Sequence, residues 1–528
     1  MANHLDELLR YFALHDDGSP AALRIIASIL PLKSDYAADP STYELNKRIG
    51  LLLANEQSTM ILAAPFLINA VNANRDEPAR RDVLSAMAKV FEAQGDLERE
   101  NLVLQEAVNL APALYRDLAL SWQRLGRLDK ASRAFNAIIA HLESVARSNA
   151  KSRGEEMAQI IWPDRVICTR YGELGRKVDL FIKARRLGLT SDTKVILPAP
   201  DDWVCNKALL AYWQDQHADS ITILTDPEEI ANAHARYESS EILADIFRLP
   251  DGRAFDHFLS YPAIWALWEE AGHGSLLSFR EDHDQIGRQW LEARGVPDDA
   301  WFVGLHVRES GYHQDGGVNF NDLRNDRIFD YLPAVQAISE AGGWIVRIGD
   351  PSMTPMPAHP RVIDYAVETD RCPELDLFFC ASALFMIAAT SGPAEVSNVF
   401  GTPVLGANYF PFGNSPNSRN DLYLHKLCQR RADGHLLDIA EMVAPPRRNM
   451  QTPQYFAEAG LEVIPNTADD LREATIEMLA RQQGTFQCTP TDEAAVERYR
   501  TMSEVDGIRI PARPAASFLR RHPHLIRG

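Results

Sequence analysis

The spacing of apolar residues divides the chain into two parts of different texture. Up to about residue 155, apolar positions recur every three or four residues, which predicts helices only. From about residue 160, short β-branched runs alternate with amphipathic stretches, which predicts parallel sheets covered by helices. The sequence therefore predicts an α/β protein that is preceded by an all-α segment.

The helical segment contains an internal repeat. Gly95 and Leu97 recur as Gly126 and Leu128, 31 positions further along, and each unit is a helix, a glycine turn and a second helix. This arrangement resembles tetratricopeptide repeats, whose usual period is about 34 residues. Arrays of this kind dock partners or self-associate. We therefore expect the repeats to bind a protein partner or a second copy of the chain.

Two sets of predicted strands follow the repeats. The first set is RVICT (165–169), KVILPA (194–199) and SITILTD (220–226), and the second is WFVGLHV (301–307), GWIVRIGD (343–350), VIDYA (362–366), LFMIAAT (384–390) and TPVLGAN (402–408). We predict four domains: helical repeats (1–155), a first α/β lobe (156–297), a second α/β lobe (298–480), and a C-terminal helix with a tail that wraps the surface (481–528). Two such lobes in tandem predict a ligand cleft at the carboxyl ends of their strands.

Composition and charge argue against several classes of function. The 54 Lys and Arg residues against 73 Asp and Glu residues leave a net charge of −19, which would repel nucleic acid. Six scattered cysteines, no signal peptide and no apolar run of about 18 residues indicate a cytoplasmic protein without a transmembrane segment. The acidic groups are dispersed and no Cys/His set has zinc spacing. We therefore expect neither a metal nor a cofactor.

A His-x-Arg motif closes the first strand of the second lobe. Alternation along the strand puts His306 and Arg308 on the same side. An arginine at the carboxyl end of a parallel strand can present a forked donor to a phosphate, and the histidine can add a neighbouring donor. The alternative is a strand-end pair that is tied to a structural carboxylate.

Two further strands of this lobe end in polar turns. Gly349 and Asp350 follow GWIVRI, where the carboxylate can accept from a ribose hydroxyl or a base N–H. Thr390, Ser391 and Gly392 open a helix, which suits a diphosphate because free backbone N–H groups and the positive dipole end meet there. The alternatives are a plain Gly-Asp-Pro turn and an ordinary serine cap with proline at the first helical position.

A fourth motif lies in the first lobe. The stretch RYGELG (170–175) reads as a glycine-containing turn between a strand and a helix, and it lacks the full G-x-G-x-x-G pattern of dinucleotide-binding turns. The other three motifs all follow strands of the second lobe. One nucleoside diphosphate could meet all three there.

The order of these motifs resembles the second lobe of fucosyltransferase-like enzymes of the GT-B fold. The strings GLHVRESGYHQD, RNDRIFDYLPAV, GGWIVRIGDP, TSGPAEVSNVFGTPV and SFLRRHPHL are similar to a bacterial family of repeat-containing glycosyltransferases linked to surface polysaccharide. The resemblance covers about residues 160–528. It implies a GT-B-like pair of Rossmann-like lobes, the first on the acceptor side and the second on the nucleotide-sugar side. In the second lobe, Arg308 binds the donor diphosphate while the Asp350 turn and the Ser391 turn hold the nucleotide.

The resemblance also implies a reaction. A glycosyl group would pass, with inversion and without metal, from a nucleoside diphosphate sugar to a hydroxyl of a glycan, a lipid-linked saccharide or a protein. The fucosyltransferases often carry a second basic residue where this chain has Glu309, so GDP-fucose stays one donor among several. Glu309, His313 and Asp315 lie on the loop beside Arg308 and are the candidate bases, with Glu309 preferred and with acceptor binding as the alternative role of His313. A sugar-nucleotide epimerase and an inactive repeat scaffold are the alternatives.

Overall fold

The structure is a computed structural model that describes most of the chain. It describes residues 8, 28, 43–55, 59–73, 77–109, 114–154, 159–162, 166–191, 193–237, 243–309, 322–505 and 507–527. Contacts between residues divide the chain into two compact units, Met1–Ile138 and Ile139–Gly528.

The regular secondary structure described in the first unit is all helical. Its helices are α1 (Tyr43–Ala54), α2 (Ala64–Ala73), α3 (Glu77–Ala93), α4 (Leu97–Ala107), α5 (Tyr115–Arg124) and α6 (Leu128–Ser152), the last of which continues into the second unit. Gly95 and Gly126 occupy the same left-handed conformation, with φ of 72° and 71°. This match confirms the predicted unit of a helix, a glycine turn and a helix, and the identity of these units as tetratricopeptide repeats stays a prediction.

The second unit begins with a small parallel sheet. The strands β1 (Gln159–Ile161), β2 (Lys194–Pro198) and β3 (Ile221–Leu224) lie in that order, and an antiparallel hairpin of β4 (Ile246–Arg248) and β5 (Ala254–Asp256) follows. The helices of this part are α7 (Val166–Thr169), α8 (Tyr171–Arg186), α9 (Lys207–His217), α10 (Pro227–Tyr237), α11 (His257–Glu270) and α12 (Glu281–Glu292).

The strand predicted at RVICT (165–169) is wrong. Val166–Thr169 forms the short helix α7, and the edge strand lies one step earlier, at Gln159–Ile161. Ile167 and Cys168 are completely buried in the helix. A run of only three apolar residues, Val166 to Cys168, fits a buried helical turn as well as a buried strand, so periodicity alone could not separate the two.

A seven-stranded sheet forms the centre of the second unit. Its strands are β6 (Phe302–His306), β7 (Trp344–Arg347), β8 (Val362–Ile363), β9 (Met386–Ala388), β10 (Val404–Tyr409), β11 (Leu422–His425) and β14 (Arg513–Pro514). Every neighbouring pair is parallel, and the order across the sheet is β8-β7-β6-β9-β10-β11-β14. The direction of winding therefore reverses between β6 and β9. In open parallel sheets, ligands bind at the carboxyl ends of the strands at this reversal.

Helices and one small hairpin complete this part of the chain. The helices are α13 (Leu332–Glu340), α14 (Pro373–Ala381), α15 (Gly392–Phe400), α16 (Ile439–Val443), α17 (Pro453–Glu458), α18 (Ala468–Gln482), α19 (Pro490–Ser503) and α20 (Ala516–Arg521). The hairpin pairs β12 (Leu427–Arg430) with β13 (Leu461–Ile464) in antiparallel fashion.

The tail does not wrap the surface, so that prediction is wrong. Arg513–Pro514 adds the edge strand β14 to the large sheet, where proline is tolerated because its missing N–H faces no partner strand. Phe518 and Leu519 are buried in the same core as the central strands. The backbone N–H groups of Ala516 and Ser517 donate to the buried carboxylate of Glu477. The tail was predicted to be exposed because it is rich in Pro and Arg, although it also contains the apolar residues Phe518 and Leu519.

The predicted fold class is confirmed. The described structure has a helical region followed by two parallel α/β sheets, as expected for a GT-B-like pair of lobes, and the larger sheet carries the main core. None of its described helices is both long enough and apolar enough to cross a bilayer.

Candidate active site

The three polar motifs of the second lobe meet at the reversal point of the large sheet. His306 is the last residue of β6 and lies beside Ala388, the last residue of β9. The loop after β6 carries Arg308, and Ser391 lies just beyond β9. Because all the strands are parallel, the turn after β7 opens at the same edge.

His306 is held as a neutral imidazole. Its residue is 8% exposed, and its Nδ1 has no hydrogen-bond partner among the described residues. Burial, followed by the charges of Arg308 and Arg347, lowers the pKa of His306 to about 3. A neutral imidazole carries one N–H donor and one acceptor nitrogen, so His306 can bind a ligand without adding charge.

Arg324 stands beside Arg308, and the sequence analysis missed it. Its guanidinium donates to the backbone carbonyl of Thr390, and the N–H of Asp326 donates to the carbonyl of Arg308 at 2.9 Å. Burial and the neighbouring charge of Arg308 lower the pKa of Arg324 to about 10. The loop after β6 thus folds back to the end of β9, and the guanidinium of Arg324 lies close enough to Arg308 for the charge of Arg308 to lower its pKa.

Glu309 is engaged by neighbouring groups on both of its oxygens. The completely buried Arg347 donates to Oε1 at 3.0 Å, while the N–H and hydroxyl of Thr354 donate to Oε2 at 2.8 and 2.7 Å. Arg347 also holds Asp364 at 3.1 Å. These contacts describe a carboxylate that fixes the loops after β6 and β7 to each other. Its role as a base stays an untested prediction.

The turn after β7 is closely packed. A Cβ at Gly349 would lie 2.2 Å from the sulfur of Met353, and Arg371 donates to the carbonyl of Gly349 at 3.1 Å. Asp350 accepts the N–H of Ser352 at 2.9 Å through Oδ1. Its Oδ2 is buried without a hydrogen-bond partner in the described part of the chain. That oxygen is available to a ligand hydroxyl or N–H.

The turn after β9 contains two hydroxyl groups, those of Thr390 and Ser391, which differ in their hydrogen bonding. Thr390 is structural, because its Oγ1 donates to the carbonyl of Phe410 at 2.8 Å and accepts the N–H of the same residue at 3.2 Å. Ser391 is the N-cap residue of α15, yet its side chain makes no cap bond. Its Oγ is buried and has no partner among the residues described. A second polar group is thus left for a ligand at the start of the helix.

The fourth motif, residues 170–175, belongs to the first α/β lobe and contacts the first turns of α15. Arg170 is the N-cap residue of α8, so Gly172 lies in the first turn of that helix rather than in a turn between a strand and a helix. A Cβ on Gly172 would lie 2.8 Å from the Cα of Gly392 in α15, and one on Gly175 would lie 3.1 Å from a methyl group of Val396. These contacts advance in the same order along both helices. The helices therefore run in the same direction, and their positive N-terminal ends lie side by side.

Two of the predicted bases cannot be placed. His313 and Asp315 lie outside the described residues. Within the residues that are described, no group of three or more His, Cys, Asp or Glu side chains could hold a metal ion. Taken together, the placed residues favour a doubly charged anion, since two guanidinium groups and two helix N-termini share one edge of the sheet.

Among solved structures, the chain is similar at low identity to several glycosyltransferases. No protein-family model and no curated protein matches the chain. A glycosyl transferase family 9 protein from Veillonella parvula is 12% identical with a TM-score of 0.31, and the match covers 51% of this chain and 86% of that one. The ADP-heptose LPS heptosyltransferase II of E. coli is 12% identical with a TM-score of 0.30, covering 51% and 89%.

An O-GlcNAc transferase from Thermobaculum terrenum spans more of the chain. It is 14% identical with a TM-score of 0.25, and the match covers 100% of this chain and 98% of that one. Similarities of this size assign no function, so the functional conclusion depends on the geometry of the site.

Proposed function

We propose that the protein is a glycosyltransferase that uses a nucleoside diphosphate sugar. One observation carries the proposal: Arg308, Arg324, His306 and the N-terminus of α15 converge at the reversal point of a seven-stranded parallel sheet. This is where such sheets bind nucleotides, and the cationic groups match a diphosphate. The resemblance of the motif strings to glycosyltransferases points to the same chemistry.

The chemical problem in such a transfer is the charge that grows on the departing diphosphate. Arg308, Arg324 and the helix N-terminus would stabilise that charge from fixed positions, without a metal ion. Ser391 and the neutral His306 would add hydrogen bonds to the phosphate oxygens. The buried oxygen of Asp350 would accept from the ribose or the base. Inversion at the anomeric carbon is proposed from the resemblance alone, which also makes GDP-fucose one donor among several.

The first experiment asks which nucleotide binds. Thermal unfolding is measured with GDP, UDP, CMP, dTDP and ADP, because a ligand that binds the native state raises its stability in proportion to RT ln(1 + [L]/Kd). Arg308→Ala should abolish the shift that the preferred nucleotide causes. Arg327→Ala is the matched control, since its side chain is 77% exposed and comes from the same loop. Equal shifts in both variants would contradict the phosphate role of Arg308.

The second experiment separates a transferase from its alternatives. The wild-type protein is incubated with the sugar nucleotide of the preferred base, and the products are followed by NMR. Slow release of free sugar without acceptor indicates an active transferase site, whereas a free C2-epimer of the sugar would favour the epimerase. Tight nucleotide binding without any turnover of the donor would favour the inactive scaffold. In an active transferase, Arg308→Ala should raise the barrier by about 2–4 kcal/mol.

A further inference from the structure

A buried ion pair holds the segment that carries Arg324. Asp326 lies two residues beyond this arginine, and its Oδ1 is 2.8 Å from Nζ of Lys426. The side chains of the pair are only 2% and 5% exposed. Lys426 directly follows β11, and its N–H donates to the carbonyl of Tyr409, the last residue of β10, at 3.2 Å. The ion pair thus fixes the segment to the carboxyl ends of two central strands.

Further hydrogen bonds restrain both members of the pair. Nζ of Lys426 donates at 2.9 Å to the carbonyl of Asn325, the residue directly after Arg324. The hydroxyl of Tyr331, whose side chain is completely buried, donates to Oδ2 of Asp326 at 3.0 Å. The two residues that follow Arg324 are therefore held through a backbone carbonyl and through a carboxylate.

The segment that is held in this way lies at the anion site. The N–H of Asp326 donates to the carbonyl of Arg308 at 2.9 Å, and the guanidinium of Arg324 donates to the carbonyl of Thr390. Two cations at one edge of the sheet repel each other, so their places have to be maintained by groups around the site. The side chains of Asp326 and Lys426 are groups of this kind.

We propose that Asp326 and Lys426 are positioning residues, which hold Arg324 in place for the diphosphate. The inference rests on the proposed function. Both residues act through the arginine rather than on the phosphate oxygens. A cation that is already in place needs no rearrangement when the ligand binds or when charge grows on the departing diphosphate. Loss of either residue should therefore weaken nucleotide binding in a protein that is still folded.

Stabilisation of the fold alone is the alternative role. A buried ion pair is a weak means to that end, because the cost of removing both charges from water offsets their attraction. The chain contains a second buried pair with which this one can be compared. Asp179 and Lys183 lie 2.8 Å apart, are 0% exposed and stand one turn apart within α8. Because that pair joins no loop to a strand, it serves as the matched control for a purely structural role.

The nucleotide affinity of the full chain is the first measurement. Calorimetric titration uses whichever of GDP, UDP, CMP, dTDP and ADP stabilises the wild type, at a temperature at which circular dichroism shows every variant folded. Asp326→Asn and Lys426→Met should each weaken binding by about 10- to 100-fold. Asp179→Asn should lose stability and yet bind within about twofold of wild type, because distant sites act independently. Wild-type affinity in both site variants, or an equal loss in Asp179→Asn, would overturn the positioning role.

A milder variant decides the question if removal of a charge prevents folding. Tyr331→Phe removes the hydroxyl that donates to Oδ2 of Asp326 and keeps the buried ring. Its nucleotide affinity should fall by about 2- to 10-fold, which is the effect expected for one hydrogen bond. In that case, wild-type affinity in Tyr331→Phe would overturn the role.

A double-mutant cycle shows whether Asp326 acts through Arg324. Arg324→Ala should weaken binding, and the addition of Asp326→Asn should lower the affinity by no more than about twofold further, since the side chain to be positioned is already gone. Equal losses from Asp326→Asn in both backgrounds would refute the action through Arg324. If the wild type binds none of the five nucleotides, the proposed function itself fails. If it binds one and Arg308→Ala abolishes binding while the Asp326 and Lys426 variants do not weaken it, only the positioning role fails.

Discussion

Ser391 allows a test in which stability and function should change in opposite directions. The residue is 5% exposed, and its buried hydroxyl makes no cap bond and has no hydrogen-bond partner in the described structure. An N-cap serine normally stabilises its helix by about 0.5–2 kcal/mol because its oxygen accepts a backbone N–H. That bond is not formed here. Ser391→Ala therefore removes a polar group whose burial carries a cost, and it breaks no hydrogen bond to any residue that the structure describes.

The magnitude follows from the unpaired oxygen. A buried polar group without a partner costs about 1–3 kcal/mol, part of which the alanine variant should recover. We expect Ser391→Ala to raise the free energy of unfolding of the nucleotide-free protein by about 0.5–1 kcal/mol. If Ser391 binds a phosphate oxygen, the same change removes a hydrogen bond to a charged group, which is worth about 1.5–3 kcal/mol. Nucleotide affinity should then fall by about 10- to 100-fold.

Thr390→Val is the matched control in the adjacent position. Its hydroxyl both donates to and accepts from the backbone of Phe410, so the valine leaves a buried N–H and a buried carbonyl unpaired. That change should lower the free energy of unfolding by about 2–4 kcal/mol. Urea unfolding monitored by circular dichroism gives the stabilities, and calorimetric titration with the preferred nucleotide gives the affinities.

One result for Ser391→Ala would refute the proposed role of this hydroxyl in binding the ligand. If Ser391→Ala destabilises the protein by about 1 kcal/mol or more and binds nucleotide like wild type, the hydroxyl is an ordinary structural cap. The anion site would then have to be moved away from the start of α15. A loss of affinity without any loss of stability would support the ligand role, because destabilisation could not explain it.

Three further predictions follow from the site. First, the pKa of His306 is about 3, against 6.5 in the unfolded chain, so the free energy of unfolding falls as the pH drops below about 6.5. Between pH 7 and pH 5, urea unfolding should show that the wild type loses up to about 2 kcal/mol relative to His306→Asn. Parallel pH curves for the two proteins would contradict this. Second, Gly172→Ala should lose about 1–3 kcal/mol because its Cβ meets the Cα of Gly392, whereas Gly274→Ala, which meets nothing within 4 Å, should be neutral. Third, EDTA should leave nucleotide binding intact, and a loss that Mg²⁺ or Mn²⁺ restores would refute metal independence.

The sequence predicted most of the large sheet because each of its central strands is a short apolar run that ends in a polar turn. Parallel strands bring their carboxyl ends to one edge, so the places of His306, Asp350 and Ser391 along the chain were enough to predict that they meet. The weaker predictions concerned short segments. Val166–Thr169 proved helical, and Phe518 and Leu519 of the tail entered the core, since neither segment is long enough to show its period.

Arg324 shows why a site residue can escape sequence reasoning. It follows no strand and belongs to no spaced motif, and its place is set by a loop that folds back to the end of β9. The contact between Gly172 and Gly392 joins positions more than 200 residues apart. Such contacts depend on how a helix of the first α/β lobe packs against a helix of the second, and the pattern of apolar positions in the sequence does not show this.

Glu309 shows the opposite limit, a residue whose position was predicted well and whose surroundings were not. Its place beside Arg308 made it the preferred base, but a neighbour in sequence is not the same as a neighbour in space. Arg347, from the next strand, donates to one oxygen of Glu309, and Thr354 donates to the other. A carboxylate held in this way serves best to keep the loop after β6 in place, where it presents Arg308. Glu309→Gln should therefore lower the free energy of unfolding measured in urea, because it weakens the ion pair with the buried Arg347.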